Sequence, residues 1–510
     1  MAPSSGAVPI DQVALRLHPE DHVAIAKVDL PAGVILEGAP PPAAHMVVRQ
    51  PIPAGHKVSL VPVGTGDPVR RYGQVIGLAR QPILPGDHVH VHNLHLRDLH
   101  RSPHVGLDAR PVSHVPEAER RTFLGYRRAD GRIGTRNYVA IISTVNCSAH
   151  VTREIARHFT PERLADHPNV DGVIALTHPW GCPVDQPLLQ RTLAGMARHP
   201  NVGACLFVGL GCETNQAADL VDRHDLAGPV LVIQELGGTR RTIQAGIERV
   251  EALLPSVNAL GRTTEPISKL VLALQCGGSD SWSGVTANPA VGLVADELVR
   301  QGGTVVLAET PEVYGAEHLL TRRATSPEVG EKLLDRVRWW GAYAQHMGLR
   351  LDDNRSAGNQ RGGLTTIYEK SLGAIAKAGN TPLVDVYDYA EPVTSRGFVF
   401  MDSPGYDPVS VTGQVAGGCT LVLFTTGRGS VFGFRPAPTI KISTHTRLYE
   451  RMAEDMDLDA GVVLDGTPLG EVAAQIQDRV VAVASGQPSK SEAQGVGEAE
   501  FVPWDPGGTV

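Results

Sequence analysis

Leu270-Val-Leu-Ala-Leu-Gln-Cys-Gly-Gly-Ser-Asp280 decides the fold of most of this chain. A short, nearly continuous aliphatic run suits a strand buried on both faces of a parallel sheet. It ends in a thiol and two glycines, where backbone can approach a ligand closely. The same grammar recurs along the chain. Gly172–Thr177 runs into His178-Pro-Trp-Gly-Cys182, and Ala204–Val208 into Gly209-Leu-Gly-Cys-Glu-Thr-Asn-Gln216. Thr304–Leu307 runs into Ala308-Glu-Thr-Pro-Glu312, and Thr420–Phe424 into Thr425-Thr-Gly-Arg-Gly429. Further strands are expected at Tyr138–Ser143, Val230–Gln234, Leu383–Val386, Gly397–Met401 and Thr439–Ile442. One helix is well signalled: Asn288 as cap, Pro289 at the first helical position, an apolar stripe over Ala290–Gln301, and Gly302 as terminator. The body is α/β with mostly parallel sheets, read as two subdomains, 123–260 and 261–510. The boundary falls in the polar stretch near 255–267, and 485–510 reads as a tail that packs loosely or wraps a neighbour.

Upstream the texture differs. Val23–Lys27, Val58–Pro62, Gln74–Gly77 and His88–His92 are strand candidates separated by Leu-Pro-Ala-Gly (30–33), Ile-Pro-Ala-Gly (52–55) and Leu-Pro-Gly-Asp (84–87). Residues 1–96 therefore read as a small all-β domain, and 97–122, polar and without periodicity, as a linker. Eleven of the 20 histidines lie in the first 122 residues, whereas all six cysteines lie between Cys147 and Cys419. The net charge of −8, with no basic block, gives no footprint for nucleic acid. No apolar run reaches the ~20 residues of a membrane span. The N-terminus has no signal-peptide pattern, and the low cysteine count fits a reducing cytosol.

In open parallel sheets ligands bind beyond the carboxyl ends of the strands, so the five loop clusters mark a binding site. Cys182, Cys212 and Cys276 each sit beside glycine where a strand ends. Three thiolates from separate loops can hold iron or an iron–sulfur cluster with one open position, Cys147 being a fourth candidate. Cys205 and Cys419 read as buried packing residues. The glycine loops match neither a dinucleotide fingerprint nor a P-loop, which disfavours an NAD-dependent oxidoreductase. Arg428 can clamp a carboxylate bidentately. Ser279, Asp280 and Ser283 are turn and cap residues or hydroxyl binders. His88, His90 and His92 alternate onto one face of their strand, where they serve a metal or an anion, or simply face water.

With those residues laid out, the chain resembles the altronate/galactarate dehydratase family. The first domain carries Leu17-His-Pro-Glu-Asp-His-Val23, Ile52-Pro-Ala-Gly-His-Lys57, Tyr72-Gly-Gln-Val-Ile-Gly77 and His88–Asn93, and is similar to a SAF domain with a β-clip fold. The body carries Gly125-Tyr-Arg-Arg-Ala-Asp-Gly-Arg-Ile-Gly-Thr-Arg-Asn137, Gly209-Leu-Gly-Cys-Glu213, Cys276–Pro289, Glu369-Lys-Ser-Leu-Gly373, Phe424–Gly429 and Thr439-Ile-Lys-Ile442. The resemblance implies a hydro-lyase that removes water from an aldonate such as altronate, or an aldarate such as galactarate, giving a 2-keto-3-deoxy sugar acid. It also implies Fe2+, with Mn2+ as a substitute. His178 and Lys441 are then candidates for the base, and Arg136 and Arg428 for the carboxylate binders. Two metal sites compete: Cys182, Cys212 and Cys276, or the N-terminal set Asp21, His22, His56, His90 and His92. The family pattern has Asn in place of His22, and Lys in the stretch that here reads Gly358-Asn-Gln-Arg-Gly-Gly363, which makes Arg361 a further substrate-binding candidate. His88–Asn93 and Glu309–Glu317 lean toward the altronate branch.

Two other readings compete. Elimination of sulfite from a sulfonated hydroxy acid uses a similar framework, normally split over two chains. A sugar-acid binding protein without catalysis is the second, opposed by the strand-end thiols and the Gly-Arg-Gly loop. The expected partner is a small sugar acid, with no nucleic acid and no membrane, and the default assembly is a homodimer or higher homo-oligomer.

Overall fold

The structure is a computed structural model describing residues 7–38, 45–97, 104–183 and 187–507. The deciding run forms the strand Val271–Cys276 in a seven-stranded, wholly parallel sheet. The order across it is Leu383–Tyr387, Gly397–Met401, Thr304–Leu307, Val271–Cys276, Leu421–Thr426, Thr439–Ser443 and Leu458–Asp459. Alternation sends Leu272, Leu274, Val305 and Leu307 into one apolar layer, and Ala273 and Val306 into the other. Burial on both faces is why these strands read as unbroken aliphatic runs.

The following helix spans Ala287–Arg300, with Thr286 rather than Asn288 at its cap position. Asn288 lies inside the first turn because its side chain has other work: it donates to the Gly373 carbonyl at 2.8 Å and accepts from Thr425 Oγ1 at 2.6 Å. Gly302, at φ +84°, ends the element in the left-handed conformation expected of a terminator.

The second domain is a four-stranded parallel sheet ordered Gly172–Leu176, Tyr138–Ser143, Val202–Gly209 and Val230–Val232. Its entrance and exit are zipped together, because Thr122–Arg127 pairs antiparallel with Thr263–Pro266. The polar boundary stretch begins later than its composition suggests. The helix Thr239–Asn258 continues through Pro255, its last turn held down by buried Leu254 and Val257. The tail does not wander either. Trp504 stacks on Trp340 with centroids 5.3 Å apart, and Phe501 is buried in the same cluster.

The N-terminal module is built from small, mostly antiparallel sheets, the central one ordered Ala14–Leu15, Val23–Ala26, Lys57–Ser59 and His88–Val89. The three Pro-Gly turns behave as read, with Gly33, Gly55 and Gly86 at φ +89°, +82° and +86°. Gly86 is doubly constrained, since a Cβ there would stand 1.9 Å from the Val47 carbonyl oxygen. The described part of the linker lies along the C-terminal domain, with Gly106 and Asp108 donating backbone hydrogen bonds to Thr321 and Arg322. No helix among the described residues is long and apolar enough to cross a membrane.

Candidate functional site

The N-terminal module is bolted over the carboxyl end of the seven-stranded sheet by a fully buried ionic triad. Lys57 Nζ meets the two Glu369 carboxylate oxygens at 2.8 and 3.1 Å and the Gly363 carbonyl at 2.5 Å. Arg71 donates to the same carboxylate and, at 2.6 Å, to the Ser281 carbonyl. Thr365 adds backbone and hydroxyl donors at 2.7 and 2.5 Å. Burial brings the Lys57 ammonium down to about 8. Burial alone would raise the Glu369 carboxyl, but Lys57 and Arg71 draw it down to about 2. Buried charges survive only with this density of partners. Nothing in the sequence announced the triad, because its members are some 300 residues apart.

Beneath the bolt, the segment 357–363, a short helix Ala357–Arg361 followed by Gly362 and Gly363, lies between the module and the sheet. Its carbonyls settle the tautomers above it. His56 Nε2 approaches the Arg361 carbonyl at 3.2 Å, and His90 Nε2 the Gln360 carbonyl at 2.9 Å, so both nitrogens carry the proton. His56 Nδ1 then accepts from His88 Nε2 at 3.0 Å. Nδ1 of His88 and of His90 are left as imidazole lone pairs. The rings of His56, His88, His90 and His92 stand 4.9 to 5.5 Å apart between neighbours. Burial, and then the neighbouring imidazoles and Lys57, hold His88 near 3 and His90 near 4, so both are neutral at pH 7. The other members of the N-terminal ligand set sit elsewhere. Asp21 accepts from Gly73 N and His18 N at 2.8 and 3.0 Å, fastening a turn. His22 lines a 410 Å³ cleft with Arg16, Glu20, Asp21 and Arg70, apart from the His56–His88–His90 cluster.

On the sheet side, Ser281 N donates to the Gly362 carbonyl and Asn359 Nδ2 to the Ser279 carbonyl, at 2.9 and 2.8 Å. Asp280 is buried: Oδ1 takes Trp282 N, Ser283 N and Ser283 Oγ at 2.9 to 3.1 Å, and Thr444 Oγ1 bonds both carboxylate oxygens. Asp280 therefore shapes the loop through Oδ1, while Oδ2 has only the Thr444 hydroxyl and, at 3.7 Å, His445 Nε2. Gly427 must be glycine, since a Cβ would come 2.1 Å from the Asp280 carboxyl carbon. That geometry presents Arg428, whose side chain is exposed and whose N–H is fixed to the Gly278 carbonyl at 2.8 Å. Arg361 is exposed on the same loop that carries Gly362, against which Arg428 packs.

Residues before Asp280 lead to a second group. Cys276 Sγ and one carboxylate oxygen each from Glu309 and Glu312 lie within 4.8 Å of one another, all buried. Lys377 Nζ contacts the sulfur at 2.7 Å, and Lys370 Nζ contacts Glu312 at 2.7 Å. Glu309 sits at φ +69°, and its Oε1 is buried with no hydrogen-bond partner. Burial, with Glu312 and Asp407 close by, raises the Glu309 carboxyl well above the usual range, and burial with Glu312 lifts Asp407 to about 7. Thiol plus carboxylates is a donor set for a divalent transition ion, and an orphaned buried carboxylate oxygen supplies a lone pair for it. These residues could hold a metal ion, at a site that neither expected ligand set describes. Glu309-x-x-Glu312 immediately after a buried strand is the signal that would have found them.

Four expectations need correction. Cys182, Cys212 and Cys276 do not form one ligand group: Cys276 keeps the company just described, while Cys182 lies against Cys147 and Cys212 on the second domain. His178 is no free base, for Nε2 bonds the Ser143 carbonyl at 3.0 Å and Nδ1 accepts from Trp180 N at 3.3 Å. Arg136 is buried and spends its guanidinium on Glu492, at 2.7 and 2.8 Å, and on carbonyls of the C-terminal region. Lys441 is fully buried in the body of its strand, 3.9 Å from Asp455, away from the carboxyl-end loops. A 1230 Å³ cleft between Gly172–Leu176 and the tail is lined by Arg153, Arg157 and Arg435. Arg153 and Arg157 are bonded to Thr177 and Glu154, and the converging groups described above lie elsewhere.

Family models tile this architecture. The Altronate/galactarate dehydratase SAF domain matches 12–97, the D-galactarate dehydratase/Altronate hydrolase second domain matches 125–258, and the D-galactarate/Altronate dehydratase C-terminal domain matches 267–509. An altronate dehydratase of Bacillus subtilis (strain 168) is 35% identical over 93% of this chain and 95% of its own length. The galactarate dehydratase (L-threo-forming) of Escherichia coli (strain K12) is 37% identical over 82% of this chain and 83% of its own. The beta subunit of a (2R)-sulfolactate sulfo-lyase from Chromohalobacter salexigens is 35% identical over 76% of this chain and 98% of its own. Fold, site and full-length relatives together define a hydro-lyase. Within that class, the chain belongs to the altronate/galactarate dehydratase family.

Proposed function

We propose that this chain removes water from an aldonate or aldarate, with an aldonate preferred, to give a 2-keto-3-deoxy sugar acid. The observation that carries the reading is the segment 357–363, which carries Arg361, lies against Arg428 and bonds His56 and His90, with the neutral imidazole of His88 bonded in turn to His56. Dehydration of a hydroxy acid needs an anchor for the carboxylate, a base for the α-proton and help for the departing hydroxyl. Arg428 and Arg361 are the anchors, since a guanidinium fork matches a carboxylate. A lone pair on His88 or His90 Nδ1 is the base, already unprotonated at neutral pH. Cys276, Glu309 and Glu312 would hold Fe2+ or Mn2+, which when bound supplies Lewis-acid stabilisation of developing negative charge.

The test is an anaerobic assay of the iron-loaded chain against a panel of aldonates, aldarates and a sulfolactate, with keto-acid and sulfite both measured. Keto-acid from a sugar acid without sulfite supports the reading, as does its loss in Arg428→Ala. Sulfite release alone would replace it with the sulfo-lyase activity, and turnover of none of the panel would remove it.

A further inference from the structure

The second domain carries chemistry that the junction does not use. Three loops at the carboxyl edge of its sheet each deliver one thiol. Cys147 follows Tyr138–Ser143, Cys182 follows Gly172–Leu176, and Cys212 follows Val202–Gly209. Cys147 Sγ and Cys182 Sγ are 3.9 Å apart, and Cys212 lies within hydrogen-bonding reach of Cys182 on its other side. No disulfide joins them, a bond that would bring two sulfurs to roughly 2.05 Å. Cys147 and Cys212 are exposed and Cys182 is half-buried, whereas Cys205, Cys276 and Cys419 are buried. Free cysteine is among the most buried residue types, so adjacent accessible thiols on converging loops call for an explanation.

The loops are built to hold those sulfurs in place. Asn146 N bonds the Trp180 carbonyl at 2.8 Å, and Asn146 Nδ2 bonds the His178 carbonyl at 3.2 Å, tying the first loop to the second. Thr214 N bonds the Cys182 carbonyl at 2.8 Å, tying the second to the third. Asn215 reaches back to the Thr144 carbonyl at 3.0 Å, and the buried Glu213 carboxylate gathers Thr144 Oγ1, Leu210 N and Gly211 N. His178, set aside as a base, braces the second loop. Gly211 stands at φ +121°, where a Cβ would strike Gln234, and Gln234 Nε2 points at Cys212 Sγ from 3.3 Å. A donor aimed at a sulfur from outside the trio is what a thiolate ligand receives in metal sites.

We infer that Cys147, Cys182 and Cys212 form a second, thiolate metal centre, binding a thiophilic ion or an iron–sulfur cluster with a fourth position open to solvent. Sulfurs on one tetrahedral ion with bonds of about 2.3 Å stand roughly 3.8 Å apart, close to the Cys147–Cys182 separation of 3.9 Å; the three sulfurs do not all lie within 4.8 Å of one another, so binding a single ion draws the third one in. All-sulfur donors select zinc or iron over magnesium, calcium or manganese. Three protein ligands instead of four leave a coordination position for a small molecule, as in open metal sites.

The test counts iron, zinc and acid-labile sulfide on the anaerobically purified full chain and on Cys147→Ser, Cys182→Ser and Cys276→Ser, with circular dichroism as the folding control. The expected result is a Cys182-dependent share of the complement, read as acid-labile sulfide or as thiolate-to-metal absorption, that falls at least tenfold in Cys147→Ser and Cys182→Ser, while Cys276→Ser loses only the ion of its own buried group. Sulfide matching iron identifies a cluster, and metal without sulfide a single ion. Protein isolated without metal is titrated with Co2+ in the Cys276→Ser background, so that the buried group adds no sulfur, and a thiolate-to-cobalt charge-transfer band must appear there and vanish when Cys182→Ser is added. Equal metal and equal absorption in wild type and Cys182→Ser would overturn the inference, as would a complement lost only with Cys276. Thiol-bound metal in a chain that turns over no sugar acid leaves this centre standing and removes the dehydratase reading. Turnover without any Cys182-dependent metal does the reverse.

Discussion

Two parallel sheets in this molecule end in the same kind of sequence, an aliphatic strand running into glycine and cysteine, and their carboxyl edges have opposite fates. On the seven-stranded sheet the N-terminal module closes over the loops, and Cys276 is buried among lysines and carboxylates of the C-terminal domain itself. On the four-stranded sheet Cys147 and Cys212 remain exposed, beside half-buried Cys182. The strands are alike and the roof is different. What packs over a sheet end decides whether a strand-end thiol is a neutral, desolvated group or an accessible ligand.

The sharpest way to break the comparison is to unfasten the roof. Glu369→Gln leaves Lys57 and Arg71 buried without a counter-charge, a change that costs about 3–5 kcal/mol in comparable buried pairs. The expected outcome is a lower midpoint in chemical denaturation and faster protease cleavage near residues 97–122, with the second domain's thiols reacting at an unchanged rate. Glu309→Gln probes what the roof encloses. It removes a carboxylate from the buried group, and a loss of at least ~10-fold in iron affinity is expected by analogy with weaker outer-shell changes. Titrated iron binding checks it, against an unaltered melting temperature. Arg428→Ala is milder, since losing a charge-assisted bond to a carboxylate costs ~1.5–3 kcal/mol. Its signature is a raised KM for the sugar acid, partly restored by Arg428→Lys.

The smallest effect is a pH slope. His88 and His90 have native values near 3 and 4, below the ordinary imidazole range. Between pH ~6.5 and 4 the unfolded chain therefore binds more protons than the native one, and stability falls as the pH falls through that window. Thermal melting at pH 7 and pH 5 should show a drop that shrinks in a His88→Gln, His90→Gln double variant. An unaltered slope would mean the imidazoles are protonated in the folded protein.

Local signals carried the architecture and failed at long-range pairing. Val271–Cys276, Tyr138–Ser143 and Gly397–Met401 were legible because burial on two faces leaves a continuous aliphatic run. The Pro-Gly turns were legible because positive φ leaves so few residues to choose from. The grouping of Cys276 with Cys182 and Cys212 was not, since equal loop chemistry says nothing about which sheet a loop belongs to. Arg136 resembled an anion binder until Glu492, 356 positions away, proved to be its partner. Glu309 and Glu312 passed unnoticed as ligands, and Glu369 as a counter-charge, because a buried carboxylate looks in sequence like a surface one.

The triad that fastens the roof also sets a schedule for making the protein. Glu369 follows Lys57 by 312 residues, so at ~5–20 residues per second a ribosome delivers it about 15–60 s later. During that interval the N-terminal module has left the exit tunnel with two cations destined for the interior and no anion to receive them. Assembly of the junction thus waits on synthesis of the C-terminal domain. A message truncated anywhere before codon 369 yields a module that cannot close over a sheet.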